Sequence, residues 1–495
     1  MSVALPTPLP MQQRDALAGN SLLYERVARM IEAQIASGTL RTNDRVPSVR
    51  AMSRTAGVSV ATVVQAYWNL ENAGLIAPRP QSGFFVRART SAKLPEPKTR
   101  AIRASKPRSV ATEVLDACRE TLLRTDVVML NGAFASPALY PTTRLNNIAR
   151  EVLRERPWNA GEIIASPGHE GLRREIAKRM SMLGTPTNAD EVVITSGTMD
   201  ALTLTLGVLC EPGDTVLVES PTYFGILQAV EHLRLKVIEV PNHPGHGDSS
   251  GIDVEAVRRA VRTNKLAAAI LMPNFNNPTG SLTSDNAKRE LVALLTGNNV
   301  PIVEDDIYGD LNFTGERPLS LRTFDESGLV ISCGSVSKTI ALGYRLGWAV
   351  SSQFHADITR AKFFSSVACP TLQQLVLARY YASGGYERYL RRIRRLLADN
   401  AQHLTECIAQ HFPSGTKVAR PAGGVVLWVE LPQQVDGIEL FRSALASRIG
   451  TLPGMVFSAK GDFRNYIRLN CGLPWTTTVQ RAVQKLGRLV TEMAT

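Results

Sequence analysis

Lys338 lies in a short run with Ser335 and Ser337, and Arg345 follows seven residues on. A lysine amine held beside an aldehyde captures it as a Schiff base. Hydroxyls, backbone N–H groups and a guanidinium fork are the groups that bind a phosphate dianion. The run reads as an aldehyde-capturing lysine inside a phosphate cradle. Alone, it equally describes a small-residue loop with an exposed lysine, so the rest of the chain has to decide.

The middle of the chain supplies the company such a lysine needs. Five short β-like runs each lead into polar groups. Residues 191–194 lead to Ser196, Gly197 and Thr198, and residues 214–218 to Tyr223. Residues 267–272 lead to Asn277, 301–303 to Asp305 and Tyr308, and 329–332 to Ser335 and Lys338. Ligands bind outside the carboxyl ends of the strands in an open α/β sheet. Five strand ends therefore deliver candidate groups to one edge.

A different chemistry stands at the other end. Leu23, Val27, Met30, Ile31 and Ile35 make an amphipathic helical stripe that Gly38 closes. Ser48 is placed to cap a second helix, Gly57 to turn the chain, and Ser59 to cap a third helix burying Val63, Ala66, Tyr67 and Leu70. A two-stranded wing follows, through a turn that includes Ser82 and Gly83. This order of helices and wing places the third helix in the major groove of DNA. Ser59, Ala61, Thr62 and Gln65 lie on the turns that reach base edges, and Arg50 and Arg54 suit phosphates or a guanine edge.

Charge agrees with that division. The chain of 495 residues carries 56 Lys+Arg against 44 Asp+Glu, a net of +12. Residues 1–110 hold 16 basic and 6 acidic residues, a net of +10, which leaves +2 for the remainder. Such asymmetry points to a polyanionic partner for the N-terminal part. We expect a tail at 1–20, a winged helix-turn-helix at 21–86, a basic linker at 87–112, and a large domain at 113–495 whose smaller lobe spans about 380–495. No apolar run reaches membrane-span length, and no secretory leader is expected. Six scattered cysteines lack metal or redox spacing and read as cytosolic thiols. His243, His246 and Asp248 sit among Pro and Gly and read as a polar loop, so no metal is expected.

Two resemblances sharpen these readings. The run Val46, Pro47, Ser48, Val49, Arg50, with Gly57, Ser59, Thr62, Val63, Ala66, Tyr67, Leu70, Glu71, Gly74, Leu75, Ser82 and Gly83, resembles the GntR type of winged helix. Val60 stands where many relatives carry Arg. Residues 115–490 resemble fold-type I pyridoxal phosphate (PLP) enzymes of the aminotransferase class. The resemblance implies that Lys338 is the Schiff-base lysine and that Asp305 pairs with the pyridine nitrogen. It implies that Tyr308 and Asn277 hold the ring hydroxyl and that Tyr223 stacks on the ring. Ser196, Gly197, Thr198, Ser335, Ser337 and Arg345 would hold the phosphate, and Arg468 a substrate carboxylate. Ile164 replaces a Tyr that in relatives reaches the neighbouring subunit's phosphate, and Tyr140 is the candidate substitute.

Nearly end to end, the chain resembles the MocR subfamily of GntR regulators. That implies a PLP-binding transcriptional regulator that acts as a homodimer on double-stranded DNA and senses an amino acid, a related amine or PLP itself. A working aminotransferase carrying a DNA-binding head is the alternative.

Overall fold

Ser48 and Ser59 shape the first unit. The computed structural model describes residues 23–79, 82–87, 112–121, 124–155, 161–247 and 249–495. The expected tail, most of the basic linker, part of the wing turn and Asp248 lie outside them. Helices α1 (Leu23–Ala36), α2 (Val49–Ala56) and α3 (Val60–Asn72) precede β1 (Ile76–Arg79) and β2 (Gly83–Val86). The Ser48 hydroxyl accepts from the Ala51 N–H at 3.2 Å, and the Ser59 hydroxyl from the Thr62 N–H at 3.1 Å. Each cap satisfies a helix-end donor that would otherwise lack a partner. Gly57 closes α2 at φ +65°, a left-handed turn that a β-carbon disfavours. Val63, Ala66, Tyr67 and Leu70 are buried, as the sequence predicts, and the Tyr67 hydroxyl donates to the Pro47 carbonyl at 2.6 Å. The wing is antiparallel, pairing Ile76 with Val86 and Arg79 with Gly83.

The chain divides near residue 92 into two compact units. The second begins with α4 (Thr112–Thr121), β3 (Val128–Met129), α5 (Thr142–Glu155) and α6 (Glu170–Met182). Its large sheet holds β4 (Val192–Thr195), β5 (Thr215–Ser220), β6 (Lys236–His243), β7 (Gly251–Ile252), β8 (Ala268–Leu271), β9 (Ile302–Asp305), β10 (Val330–Ser335) and β11 (Gly347–Val350). The order across it is β4-β11-β10-β9-β8-β5-β6-β7. Strands β10, β9, β8, β5 and β6 run parallel, whereas β11 is antiparallel to both β10 and β4. Helices α7 (Thr198–Leu209), α8 (Phe224–His232), α9 (Val254–Thr263) and α10 (Asp285–Thr296) fall between the strands in sequence. Strands β4, β8, β9 and β10 are buried along their whole length, so their apolar residues stand side by side rather than alternating with polar ones.

After the sheet come α11 (His355–Ser366), α12 (Thr371–Ala382) and the long α13 (Gly385–His411). The smaller lobe adds β12 (Lys417–Val418), β13 (Val426–Glu430), α14 (Gly437–Ala446), β14 (Ile449–Gly450), β15 (Leu452–Pro453), β16 (Tyr466–Asn470) and α15 (Thr477–Ala494). Its four-stranded sheet runs β12-β13-β16-β15. One feature departs from the expected lobe at about 380–495. Strand β3 pairs in parallel with β14, and Leu130 joins the apolar core of α13, α15, β13 and β16. The segment around 128–132 thus belongs structurally with the C-terminal lobe. No helix among the described residues is long and apolar enough to cross a membrane.

Candidate functional site

Register lines up the phosphate-type groups. Ser335 on β10 pairs with Gly347 on β11, and Gly347 pairs with Thr195 on β4. Ser196 and Ser335 therefore leave the sheet at one level, on either side of β11. A β-carbon on Gly347 would come within 2.6 Å of the Gly197 and Gly334 backbone, so only glycine permits this approach. The Ser335 hydroxyl donates to Ser337 Oγ or to the Leu346 carbonyl, each at 2.8 Å, and accepts from the Ser337 N–H at 3.0 Å. Arg345 sits at φ +50°, and its guanidinium reaches Ser337 Oγ at 3.3 Å and the Ser196 carbonyl at 3.2 Å. Gly197 caps α7 at φ +101°, which presents the unpaired N–H groups of the helix start. Thr198 Oγ1 is buried without a hydrogen-bond partner among the described residues. A phosphate dianion fits this cradle: an orphan hydroxyl, a helix N-terminus and a fork of positive charge converge on it.

Asp305 ends β9, directly across from Cys333 on β10. It is 2 % exposed and takes the Ile307 N–H at 3.2 Å, with no ion pair among the described residues. Burial pushes its carboxyl up to about 7; the Ile307 N–H and Lys338 pull the other way, and Asp306 and Glu219 add to the rise. Such a carboxylate fits a cationic ring nitrogen. Lys338 Nζ lies 5.9 Å from the Phe134 ring centroid. Burial depresses its pKa to about 8, helped by Arg468 and Arg345 and opposed by Asp305. At neutral pH a useful share of this amine is the neutral nucleophile.

Tyr308 is buried and donates to the Ala133 carbonyl at 3.3 Å. Tyr223 stands at the start of α8, its ring 4.7 Å from that of Phe224, and its hydroxyl pKa is raised chiefly by burial. Arg468, on β16 and 2 % exposed, donates to Asn277 Oδ1 at 3.1 Å, to the Gly132 carbonyl at 3.0 Å and to the Asn131 carbonyl. It links the small lobe to the strand end of β8 and to the segment after β3. The Tyr140 hydroxyl donates to the Ser337 carbonyl at 3.3 Å, which puts it on the lysine loop of its own chain.

Asn131, Gly132 and Phe134 escaped the sequence reading because no strand or motif announces them. Lys362 and Asp200, which contact Ser196, escaped it because they sit inside ordinary helical patterns. His243 lies 3.6 Å from Asp253, and His246 contacts the Arg420 carbonyl at 3.2 Å. Among the described residues no acidic, His or Cys group is arranged to hold a metal.

The Asp305 carboxyl gives a pH prediction for the cofactor-free protein. Its folded pKa lies above the ordinary carboxylate value, so its contribution to stability is full below about 4. That contribution is lost as pH rises through about 7. Thermal melts from pH 4 to 8 should therefore show a downward slope that is shallower in Asp305→Asn. Equal slopes in the two proteins would contradict the assignment.

In the N-terminal unit, Arg50, Arg54, Ser59, Ala61, Gln65, Ser82 and Gly83 are exposed. Thr62 is half-buried, and its hydroxyl lies 2.8 Å from that of Ser59. Gln65 bonds to Asn69 along the helix at 3.3 Å. Val60, Val64 and Trp68 are about half exposed and form an apolar stripe beside Gln65. Arg79 lies over the Phe85 ring at 4.4 Å and bonds to Asn43 at 2.7 Å.

Fold and site define an aminotransferase-type PLP domain in a chain that also carries a winged-helix head. Residues 23–86 match the bacterial regulatory proteins of the gntR family, and residues 139–486 match aminotransferase class I and II. The chain is 35 % identical over 471 residues to the HTH-type transcriptional regulator YjiR of Escherichia coli K12, covering 94 % of this chain and 98 % of that one. It is 30 % identical over 369 residues to a 2-aminoadipate transaminase of Thermus thermophilus, covering 74 % and 90 %. The crystal structure of LysN, the α-aminoadipate aminotransferase of the same organism complexed with N-(5'-phosphopyridoxyl)-L-leucine, superposes with a TM-score of 0.71 at 28 % identity, covering 78 % and 96 %. The chain belongs to the GntR-type transcriptional regulators built on an aminotransferase class I and II domain, the MocR layout. Its cofactor is pyridoxal phosphate.

Proposed function

We propose that this PLP-dependent regulator senses an amino compound in its aminotransferase-like domain and changes its hold on DNA in response. The observation that carries the reading is one cleft in which Lys338, Asp305, the phosphate cradle and Arg468 converge, in a chain with a GntR head. Bound PLP supplies an electrophilic aldehyde and an electron-withdrawing ring. Lys338 would hold it through its amine, Asp305 would pair with the ring nitrogen, and Tyr308 and Asn277 would bond to the ring hydroxyl. Ser196, Gly197, Thr198, Ser335, Ser337 and Arg345 would hold the phosphate, and Tyr223 would stack on the ring. Arg468 receives the carboxylate of the amino compound, and Tyr140 borders the same pocket. The test is a titration of purified protein with a panel of amino acids, read by visible absorbance and then by operator affinity. No spectral change with any amino acid would sink the sensor reading.

The head reads DNA through α3, with Ser59, Ala61, Thr62 and Gln65 toward bases, Arg50 and Arg54 toward phosphates or a guanine edge, and Ser82 and Gly83 on the wing. Apolar Val60 and Val64 suit thymine methyl groups. Arg50→Ala should cost about 1–3 kcal/mol of operator binding and relax preference at one position if it reads a base. A uniform loss across sequences would assign it to phosphate instead. A selection experiment that returns no sequence preference for the full chain would overturn the regulator reading.

The chain acts as a homodimer in the cytoplasm. Support comes from an apolar patch in which Ile163 is 64 % and Phe364 80 % exposed, with Phe363 and Val367 nearby. Chain pairing ties it together: Ser166 N–H bonds to the Val367 carbonyl at 3.1 Å, and Ala165 bridges Ala368. Two heads on one operator gain affinity through effective concentration. Ile163→Asp with Phe364→Asp should yield a monomer by sedimentation and weaken operator binding by about 10²-fold or more. A variant that stays dimeric would place the interface elsewhere.

A further inference from the structure

Lys362 lies on α11, outside every strand end, and its side chain is 1 % exposed. Its ammonium donates to Asp200 Oδ2 at 2.7 Å, to Ser366 Oγ at 2.7 Å and to Ser196 Oγ at 3.1 Å. A lysine has three N–H donors, so all are spent. Asp200 also takes the Ser196 backbone N–H at 2.7 Å. That N–H is thereby withdrawn from any ligand at the start of α7.

Two consequences follow for the Ser196 hydroxyl and the charge behind it. Lys362 occupies a lone pair of Ser196 Oγ, which leaves the hydroxyl hydrogen to point away from the ammonium. Its alternatives are the Cys369 sulfur at 3.6 Å and the cradle. A phosphate oxygen is by far the stronger acceptor. Asp200, in the first turn of α7, is a carboxylate behind an anion site and would repel a phosphate. Lys362 neutralises it at the point of contact.

We propose that Lys362 is a positioning residue for the phosphate of the cofactor. It acts through Ser196, whose hydroxyl it aims, and through Asp200, whose charge it cancels. The inference rests on the reading of the cradle as a phosphate site, so its test compares PLP with pyridoxal, which has the aldehyde and ring but no phosphate.

Apo-protein is titrated with each compound, with binding read by visible absorbance and by borohydride fixation. Wild type should bind PLP far more tightly than pyridoxal. Lys362→Met should weaken PLP by about tenfold or more while changing pyridoxal by less than about twofold. Lys362→Arg should keep most of the PLP affinity. The double variant Lys362→Met, Asp200→Asn removes both buried charges and guards against misfolding of the single one. It should recover part of the PLP affinity, with the remaining deficit arising from the unaimed Ser196 hydroxyl. A Ser196→Ala change should then cost less in the Lys362→Met background than in wild type. Equal losses for PLP and pyridoxal would make Lys362 merely structural, and unchanged PLP affinity would remove it from the site; either overturns the inference. A wild-type protein that does not prefer PLP would instead sink the phosphate cradle itself, and this inference with it.

Discussion

Replacing Lys338 with alanine should leave a protein that borohydride cannot label with PLP. The visible absorbance of the bound cofactor should change, because no amine remains to hold the aldehyde. The cradle should still bind the phosphate end, so PLP should remain dialysable rather than absent. The pH profile of cofactor capture by wild-type apo-protein adds a quantitative check. An ordinary lysine near 10.4 is neutral in about one molecule in several thousand at pH 7. Lys338, depressed to about 8 by burial and by Arg468 and Arg345, is neutral in roughly one in ten. The rate of capture should rise about tenfold per pH unit below 8 and level off above it. Reconstitution rates measured from pH 6 to 9 test this. A break near 10 would mean that the pocket does not activate the amine. Labelling that persists in Lys338→Ala would move the covalent site elsewhere.

The strand-end pattern made most of this site legible. In a sheet buried along its strands, short apolar runs mark the strands and the polar residues at their ends mark one edge, and β4, β5, β8, β9 and β10 were read in this way. The helix caps Ser48 and Ser59 were legible because capping is local chemistry. What stayed hidden depends on tertiary approach. Strand β3 is two residues long, and its pairing with β14 crosses more than three hundred residues of sequence. No local signal marks such a strand. Lys362 looks like any solvent-facing lysine of a helix until α11 packs its tip against Ser196 and Asp200. The Arg468 contacts to Asn131 and Gly132 were invisible for the same reason: backbone carbonyls leave no trace in residue type. Tyr140, named from the sequence as a candidate substitute for a phosphate contact, donates to the Ser337 carbonyl of its own chain, a contact that residue type alone does not announce.

Arg468→Gln should abolish the response to amino acids while leaving PLP bound. The guanidinium is buried between lobes and is held by the Asn131 and Gly132 carbonyls and by Asn277 Oδ1. A carboxylate that takes the fork must compete with those groups, and the two backbone carbonyls belong to the segment joined to the small lobe through β3 and β14. Ligand binding therefore favours an arrangement in which that segment has let go of the arginine. A ligand shifts an equilibrium only by its differential affinity for the two states, and this exchange of partners is such a difference. Losing a buried charged hydrogen-bond partner costs about 2–5 kcal/mol, roughly thirtyfold to several thousandfold in apparent amino-acid affinity. Both the spectral shift and the change in operator affinity should disappear together. Removing the arginine should also raise the Lys338 pKa, because Arg468 is the strongest charged group lowering it. The break in the capture profile should move above 8 in this variant, a readout that a general loss of structure would not produce. A variant that still couples amino acids to DNA would place the effector site outside this cleft. Sustained turnover of wild type with an amino donor and a keto acid, at the ~1–10³ s⁻¹ of ordinary enzymes, would show that the same arginine serves a catalyst. A bound amino acid that shifts the spectrum once, changes operator affinity and is released unchanged would show that it serves a sensor.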